Sequence, residues 1–413
     1  MTNRERLSST CLKGEEYPDF SADGAWCFFG DPRALYYEGV HKRTYIGWLT
    51  KEGHVRVGYY DHTNHTAQTT ELKERLHQDD HANPSLFMDG EGRLTVYYSA
   101  HCGNSMFYRT ADRSEDISSW GPELELASNT IGSFGYTYPS PVYLREEEKQ
   151  YLFWRGANFK PNFAIQEAGG CWSEAFTLIE GSGARPYIKY ATDRENTIYF
   201  AFTDGHPNVE SSNSIYFACY RGGEFYNADG TLIKAFSELP IQPSEATMVY
   251  DAQKNGWKTW IWDIAIDQMG YPVVVYALFM TDTDHRYRYA RWNGNQWMDY
   301  EITPGGDWFP ETPEGKTESE PYYSGGIILD HQDPSQVYLS RPIEGVFEIE
   351  HWSTPDSGET WNCVPVTSGS GSNNVRPYIS RGYAEGCSVL LWMNGKYTHF
   401  TEYDTALKMR LTK

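Results

Sequence analysis

The chain has 413 residues, a formal net charge of −21, 37 glycines and an aromatic content of 16%. So acidic a protein argues against nucleic acid or an anionic membrane as its main partner, because both call for a basic face. No run approaches the 18 apolar residues of a membrane-spanning helix, and no long stretch carries a helical period, so the aromatic and Gly-rich composition points to an all-β chain.

The first ten residues, from Met1, lack the apolar run of a signal peptide. The expectation is a cytoplasmic protein, or a secreted or periplasmic one whose leader is absent from this sequence. The seven cysteines are scattered with no CxxC pair, which reads as reduced thiols or at most a stray disulfide.

Seven times a short β-type run is followed by a turn and a second apolar run. The first runs start at Asp31, Asn83, Tyr138, Arg185, Trp262, Gly325 and Arg376; the second start at Thr44, Leu94, Tyr151, Thr197, Pro272, Gln336 and Val389. A strand repeat of about 50 to 60 residues is the signature of a β-propeller. The expected fold is therefore an all-β, seven-bladed β-propeller forming a single domain over 1–413. Its blades fall at roughly 24–75, 76–130, 131–180, 181–255, 256–320, 321–368 and 369–413, with an N-terminal strand as a candidate for closing the ring. Each blade is expected to have four strands. The segment 305–321, rich in Pro, Gly and Glu, reads as a surface loop.

Near the C-terminus, Thr354-Pro-Asp356-Ser-Gly358-Glu-Thr360-Trp361 fits the Asp-box pattern Ser/Thr-x-Asp-x-Gly-x-Thr-Trp. Its logic is turn chemistry: Asp accepts backbone N–H groups, Gly takes positive φ and Trp packs under the turn. It supports the fold and carries no catalysis.

In each repeat the second strand returns antiparallel to the first, so the start of one and the end of the other share a face of the ring. Repeat 2 places Asp79, Asp80 and His81 before its inner strand and His101 after its second. Repeat 3 gives Tyr136, Tyr138 and Arg155. Repeat 4 gives Arg185, Tyr187, Asp204 and His206. Arg376 and Arg33 are expected to join them from repeats 7 and 1. His206 is also a turn or metal-ligand candidate, with Cys219 thirteen residues further on.

His and Tyr give and take protons, and Arg is a permanent fork for a carboxylate. Together they suit proton abstraction beside a carboxylate, that is β-elimination on a uronic acid. A glycoside hydrolase would use two placed carboxylates instead, for which Asp79, Asp80 and Asp204 are candidates.

At these residues the sequence resembles a known family. Gly24-Ala-Trp-Cys-Phe-Phe-Gly-Asp-Pro-Arg33, Asp79-Asp-His-Ala-Asn-Pro-Ser, the His81/His101 pair, Tyr136-Thr-Tyr-Pro, Phe153-Trp-Arg155, Phe202-Thr-Asp-Gly-His206 and Trp260-Ile-Trp-Asp-Ile-Ala are similar to the BNR-repeat propeller group of polysaccharide lyases, which includes ulvan lyases and rhamnose-α-1,4-glucuronate lyases. The resemblance implies β-elimination at glucuronate or iduronate next to rhamnose, with an anionic uronate-containing poly- or oligosaccharide as partner. It implies His81 and His101 as catalytic histidines, Tyr138 (or Tyr136) as the tyrosine acid/base and Arg155 as the carboxylate neutraliser. Arg185, Tyr187, Tyr136 and His206 are implied substrate contacts. The chemistry requires no cofactor; some relatives bind a structural calcium or zinc, and the sequence supplies no full ligand set for either. Two alternatives stand beside the lyase: an exo-α-L-rhamnosidase working from the opposite face of the ring, and a non-catalytic glycan-binding propeller.

Overall fold

A computed structural model describes residues 17–126 and 129–412. Seven antiparallel sheets follow one another along the chain: blade 1 (34–73), blade 2 (85–125), blade 3 (137–177), blade 4 (188–250), blade 5 (258–306), blade 6 (327–365) and blade 7 (374–412). The all-β, seven-bladed propeller expected from the repeats is the architecture the chain adopts. The short strand Asp19–Ser21 pairs with Glu402–Thr412 as the outermost strand of blade 7, so the two ends of the chain close the ring. Blade 4 departs from the expected four strands. It has six, because the interval after Thr203 folds back as Leu232–Ala235 and Thr247–Tyr250.

The blades are held by aromatic and branched side chains at their interfaces. Trp26, Trp48, Trp154, Trp260 and Trp392 are fully buried. Near the axis Phe28 stacks on Trp262 at 3.8 Å, and Phe29 meets Tyr187 at 4.6 Å. The Asp box closes the hairpin between the outer strands of blade 6, as its sequence specifies. Asp356 accepts from the Thr360 N–H (2.8 Å), Gly358 has φ 106° and Trp361 packs on Tyr289 of blade 5.

The inner strands of blades 3 and 7 share a device that matters for the site. Thr137 pairs with Arg155 and Ser140 with Phe153, so blade 3 has one extra residue on its inner strand. Between Val375 and Tyr378 blade 7 does the same. Each bulge holds a non-glycine residue before a proline at positive φ: Tyr138 at 61° and Arg376 at 52°. Such a conformation costs on the order of 1–3 kcal/mol, and it re-aims the side chain toward the axis instead of into the blade interface.

Candidate active site

Blade 2 builds the centre. Asp79 caps the 3₁₀ turn Asp80–Ala82, accepting the His81 N–H at 3.0 Å. The same oxygen lies 2.6 Å from His81 Nδ1, and the other carboxylate oxygen lies 2.7 Å from His101 Nδ1. One carboxylate thus orients both histidines, whose rings stack at 4.4 Å. Burial alone would raise the Asp79 carboxyl, but the two histidines outweigh it and hold it well below the usual carboxylate range. As an acceptor only, Asp79 fixes both rings as Nδ1–H tautomers.

The second nitrogens confirm that assignment chemically. Arg155 Nη2 lies 3.0 Å from His101 Nε2. Arginine can only donate, so that nitrogen carries the lone pair. His81 Nε2 lies 3.1 Å from the Tyr323 hydroxyl, which donates to it.

Blade 3 supplies Arg155 at the end of the strand Lys149–Arg155. Its Nη1 donates to the Tyr187 hydroxyl at 3.0 Å, its Nη2 reaches Thr137 and Cys102 as well, and its buried Nε–H has no hydrogen-bond partner among the described residues. Tyr138 lies with its ring 4.9 Å from the Arg155 guanidinium and 5.7 Å from His81. Burial pushes its phenol well above the ordinary value, Tyr187 adds to the rise and Arg155 opposes it. Its phenol is therefore neutral at neutral pH. The Cys102 thiol shares this field: burial would raise it, but the adjacent His101 ring and the charge of Arg155 bring it down to about 7.

His206 lies against Trp260 (4.6 Å) and Tyr187 (5.5 Å). Burial, then the charges of Arg185 and Arg155, lower it to about 3, so it is a neutral imidazole. Arg185 sits over the Phe159 ring, which also faces Arg155. The structure thus gathers His81, His101, Tyr138, Arg155, Tyr187, Arg185 and His206 at one axial mouth.

Three expected members are elsewhere. Tyr136 is buried in a cluster with Trp154 and Leu126, its hydroxyl directed at the Leu126 carbonyl. It precedes the bulge, so its ring faces the interface between blades 2 and 3. Arg376 is fully buried in an ion pair with Asp80, and Tyr397 bridges the two. Arg33 lies deeper along the axis beside Asp31. The zinc reading of His206 with Cys219 also falls away. Cys219 lies on the strand Ile215–Arg221 inside blade 4, its thiol raised to about 11 by burial.

The sequence reading missed the far wall of the mouth. Tyr323 comes from the segment before blade 6, and Phe400, from a turn of blade 7, lies edge-on to His81 at 4.8 Å. Glu320 belongs to the same wall. Burial and Glu318 push its carboxyl up to about 7 against the pull of Arg185. The fold thus favours the protonated form. Ionisation costs stability as pH rises past the ordinary 4.5, and the cost is complete above about 7. Glu320→Gln is therefore expected to raise the thermal midpoint at pH 8 and to leave it nearly unchanged at pH 4, as melts at the two pH values will read.

Two groupings have the reach to ligate a metal ion: Asp79 with His81 and His101, and Cys27 with Asp80 and His81. Their atoms are engaged within the protein in this structure. In the first, the nitrogens and oxygens that would ligate are already engaged by one another, by Arg155 and by Tyr323. In the second, Asp80 is tied to Arg376 and burial raises the Cys27 thiol to about 12.

The carboxylates offered for a hydrolase are committed too. Asp79 orients the histidines, Asp80 pairs with Arg376, and Asp204 accepts from the Ser214 N–H (2.8 Å) and the Tyr216 hydroxyl (2.9 Å).

The sequence places this seven-bladed ring in a family. The model of the BNR repeat-containing family matches residues 43–304, and the chain belongs to that family. It is similar to an ulvan lyase named PL25 from Pseudoalteromonas sp. (strain PLSV), with 22% identity and 69% of each chain covered. Among solved structures, a PL25 ulvan lyase bound to -[GlcA(1-4)Rha3S]- superposes with a TM-score of 0.71 at 16% identity, covering 95% of this chain and 94% of the other. The polysaccharide lyase Uly1 gives 0.60 at 11% identity, covering 97% and 94%. These likenesses show the fold.

Proposed function

We propose that the protein is a polysaccharide or oligosaccharide lyase. It cleaves the glycosidic bond at a glucuronate (or iduronate) linked to rhamnose by β-elimination and leaves an unsaturated uronate. The observation that carries this reading is Arg155. It is a buried cation with a free Nε–H, set beside two histidines of fixed tautomer and a neutral tyrosine. A uronate carboxylate would complete the hydrogen bonding of Arg155 and, once neutralised, make its C5 proton more acidic. The lone pair of a histidine Nε2, at His81 or His101, takes that proton. The electrons form the C4–C5 double bond as the C4–O bond breaks, and Tyr138 protonates the departing oxygen. The likeness to ulvan lyases supports the substrate class.

Incubation with ulvan or gum-arabic fragments tests this, followed at once by ultraviolet absorbance of unsaturated uronate and by a reducing-end assay. Both signals rising together is the expected result; sugar release without new absorbance would overturn the lyase in favour of the rhamnosidase. Asp79→Asn is expected to lower kcat by about 10²-fold or more, because an amide cannot accept from both Nδ1–H groups and drives one ring into the wrong tautomer. Initial rates across pH read this directly.

A further inference from the structure

Two residues along the inner strand of blade 4 from the mouth residue Tyr187, Lys189 opens a second charged cluster deeper on the axis. Arg33 (1% exposed), Lys189 (2%) and Arg381 (8%) are buried together with the carboxylates of Asp31 and Asp263. Lys189 and Arg33 both pair with Asp31, while Arg381 reaches Asp263 at 3.3 Å and donates to the Leu329 carbonyl at 3.2 Å. His331 also contacts Asp263, and burial and Arg381 keep it below its ordinary value, so it stays neutral.

Arg33 and Arg381 share one aromatic ring. The guanidinium carbons of Arg33 and Arg381 lie 4.2 and 5.0 Å from the centroid of the same ring, Tyr378. A third guanidinium, of exposed Arg194 in the turn of blade 4, lies against Gly382, next to Arg381. Three cations, Arg33, Lys189 and Arg381, thus face two carboxylates, with Arg194 close by, in a protein of net charge −21. Arg33 is also incompletely satisfied: its Nε donates to Asp31 at 3.2 Å, but its buried Nη1 has no partner among the described residues. A buried charged donor left unpaired is costly, and an excess of positive charge beside it is stabilised by an anion.

We propose that this end of the axis is a seat for a small oxyanion, held by Arg33 Nη1 with Arg381 and Arg194 completing its charge. The ligand class is a tetrahedral or planar oxyanion, supplied either free, as sulfate or phosphate, or as the acid group of a sugar. The seat is separate from the catalytic mouth and does not depend on the lyase reading.

Calorimetry on the full chain with sodium sulfate, sodium phosphate and methyl glucuronide, against sodium chloride at matched ionic strength, tests it. Binding heat for at least one oxyanion and none for chloride is expected; sulfate or phosphate alone would mark a free-anion site, and the glucuronide alone a sugar-acid site. Arg194→Ala, on the surface and outside the catalytic mouth, should weaken that binding by about tenfold, the loss of one charge-assisted hydrogen bond, with lyase rates unchanged. Arg33→Met should abolish it. If Arg33→Met does not fold, the Arg194→Ala comparison decides alone. Equal heats with chloride, or undiminished affinity in Arg194→Ala, would overturn the proposal.

Discussion

Arg155→Ala is expected to lower kcat/KM on a uronate-containing oligosaccharide by about 10³-fold, the upper end of what one preorganised electrostatic group supplies in a transition state. The loss should fall mainly on kcat, because negative charge on the carboxylate grows as C5 is deprotonated. Arg155→Lys should recover little. An ammonium is a single point charge and cannot span the Tyr187 hydroxyl and His101 Nε2, which two separate guanidinium nitrogens reach. Fold damage is separable from chemistry here. Arg155 is a buried cation with no carboxylate partner among the described residues, so removing it relieves a desolvation cost and the thermal midpoint should not collapse. Steady-state rates paired with melts check this; a variant that stays folded and loses less than tenfold activity would remove Arg155 from the mechanism.

Much of this mouth was legible in the sequence because a β-hairpin converts spacing into position. Asp79, His81 and His101 flank one hairpin, and Tyr138 and Arg155 flank the next, so antiparallel pairing alone brings each set to one face. The reading failed where position depends on something other than pairing. Tyr136 and Tyr138 are two residues apart, which in a regular strand puts both on one side. The bulge at Tyr138 separates them, and only its positive φ reveals that. Arg376 looks like a mouth residue until Asp80, 296 positions away, is seen to claim it. Arg33 was assigned the wrong depth along the axis. Tyr323 and Phe400 arise from segments with no strand period, and their contact with His81 spans more than 240 residues of chain. Part of the wall of the mouth therefore comes from the segment before blade 6 and from blade 7, where the repeats carry no chemical signature.

Tyr138→Phe is the more incisive experiment because it deletes one oxygen and nothing else. The ring keeps its packing against Phe29 (5.4 Å), Tyr187 (6.1 Å) and His81 (5.7 Å), so the strained backbone at φ 61° keeps its anchors. As general acid, Tyr138 is expected to contribute about 10³-fold, within the usual range for a positioned proton donor. Its burial favours the phenol over the phenolate, so the group is protonated at neutral pH, as a general acid must be. That assignment has a consequence that a base or a packing residue would not share. A synthetic substrate with a phenoxide leaving group at C4 needs no protonation of the departing oxygen, so the Tyr138→Phe defect should shrink to about tenfold or less on it. On the natural alkoxide leaving group the defect should stay at full size. Asp79→Asn should instead impair both substrates alike, because the histidines it orients remove the C5 proton in either case. Equal defects of Tyr138→Phe on the two substrates would transfer the acid role to another residue and make Tyr138 the base.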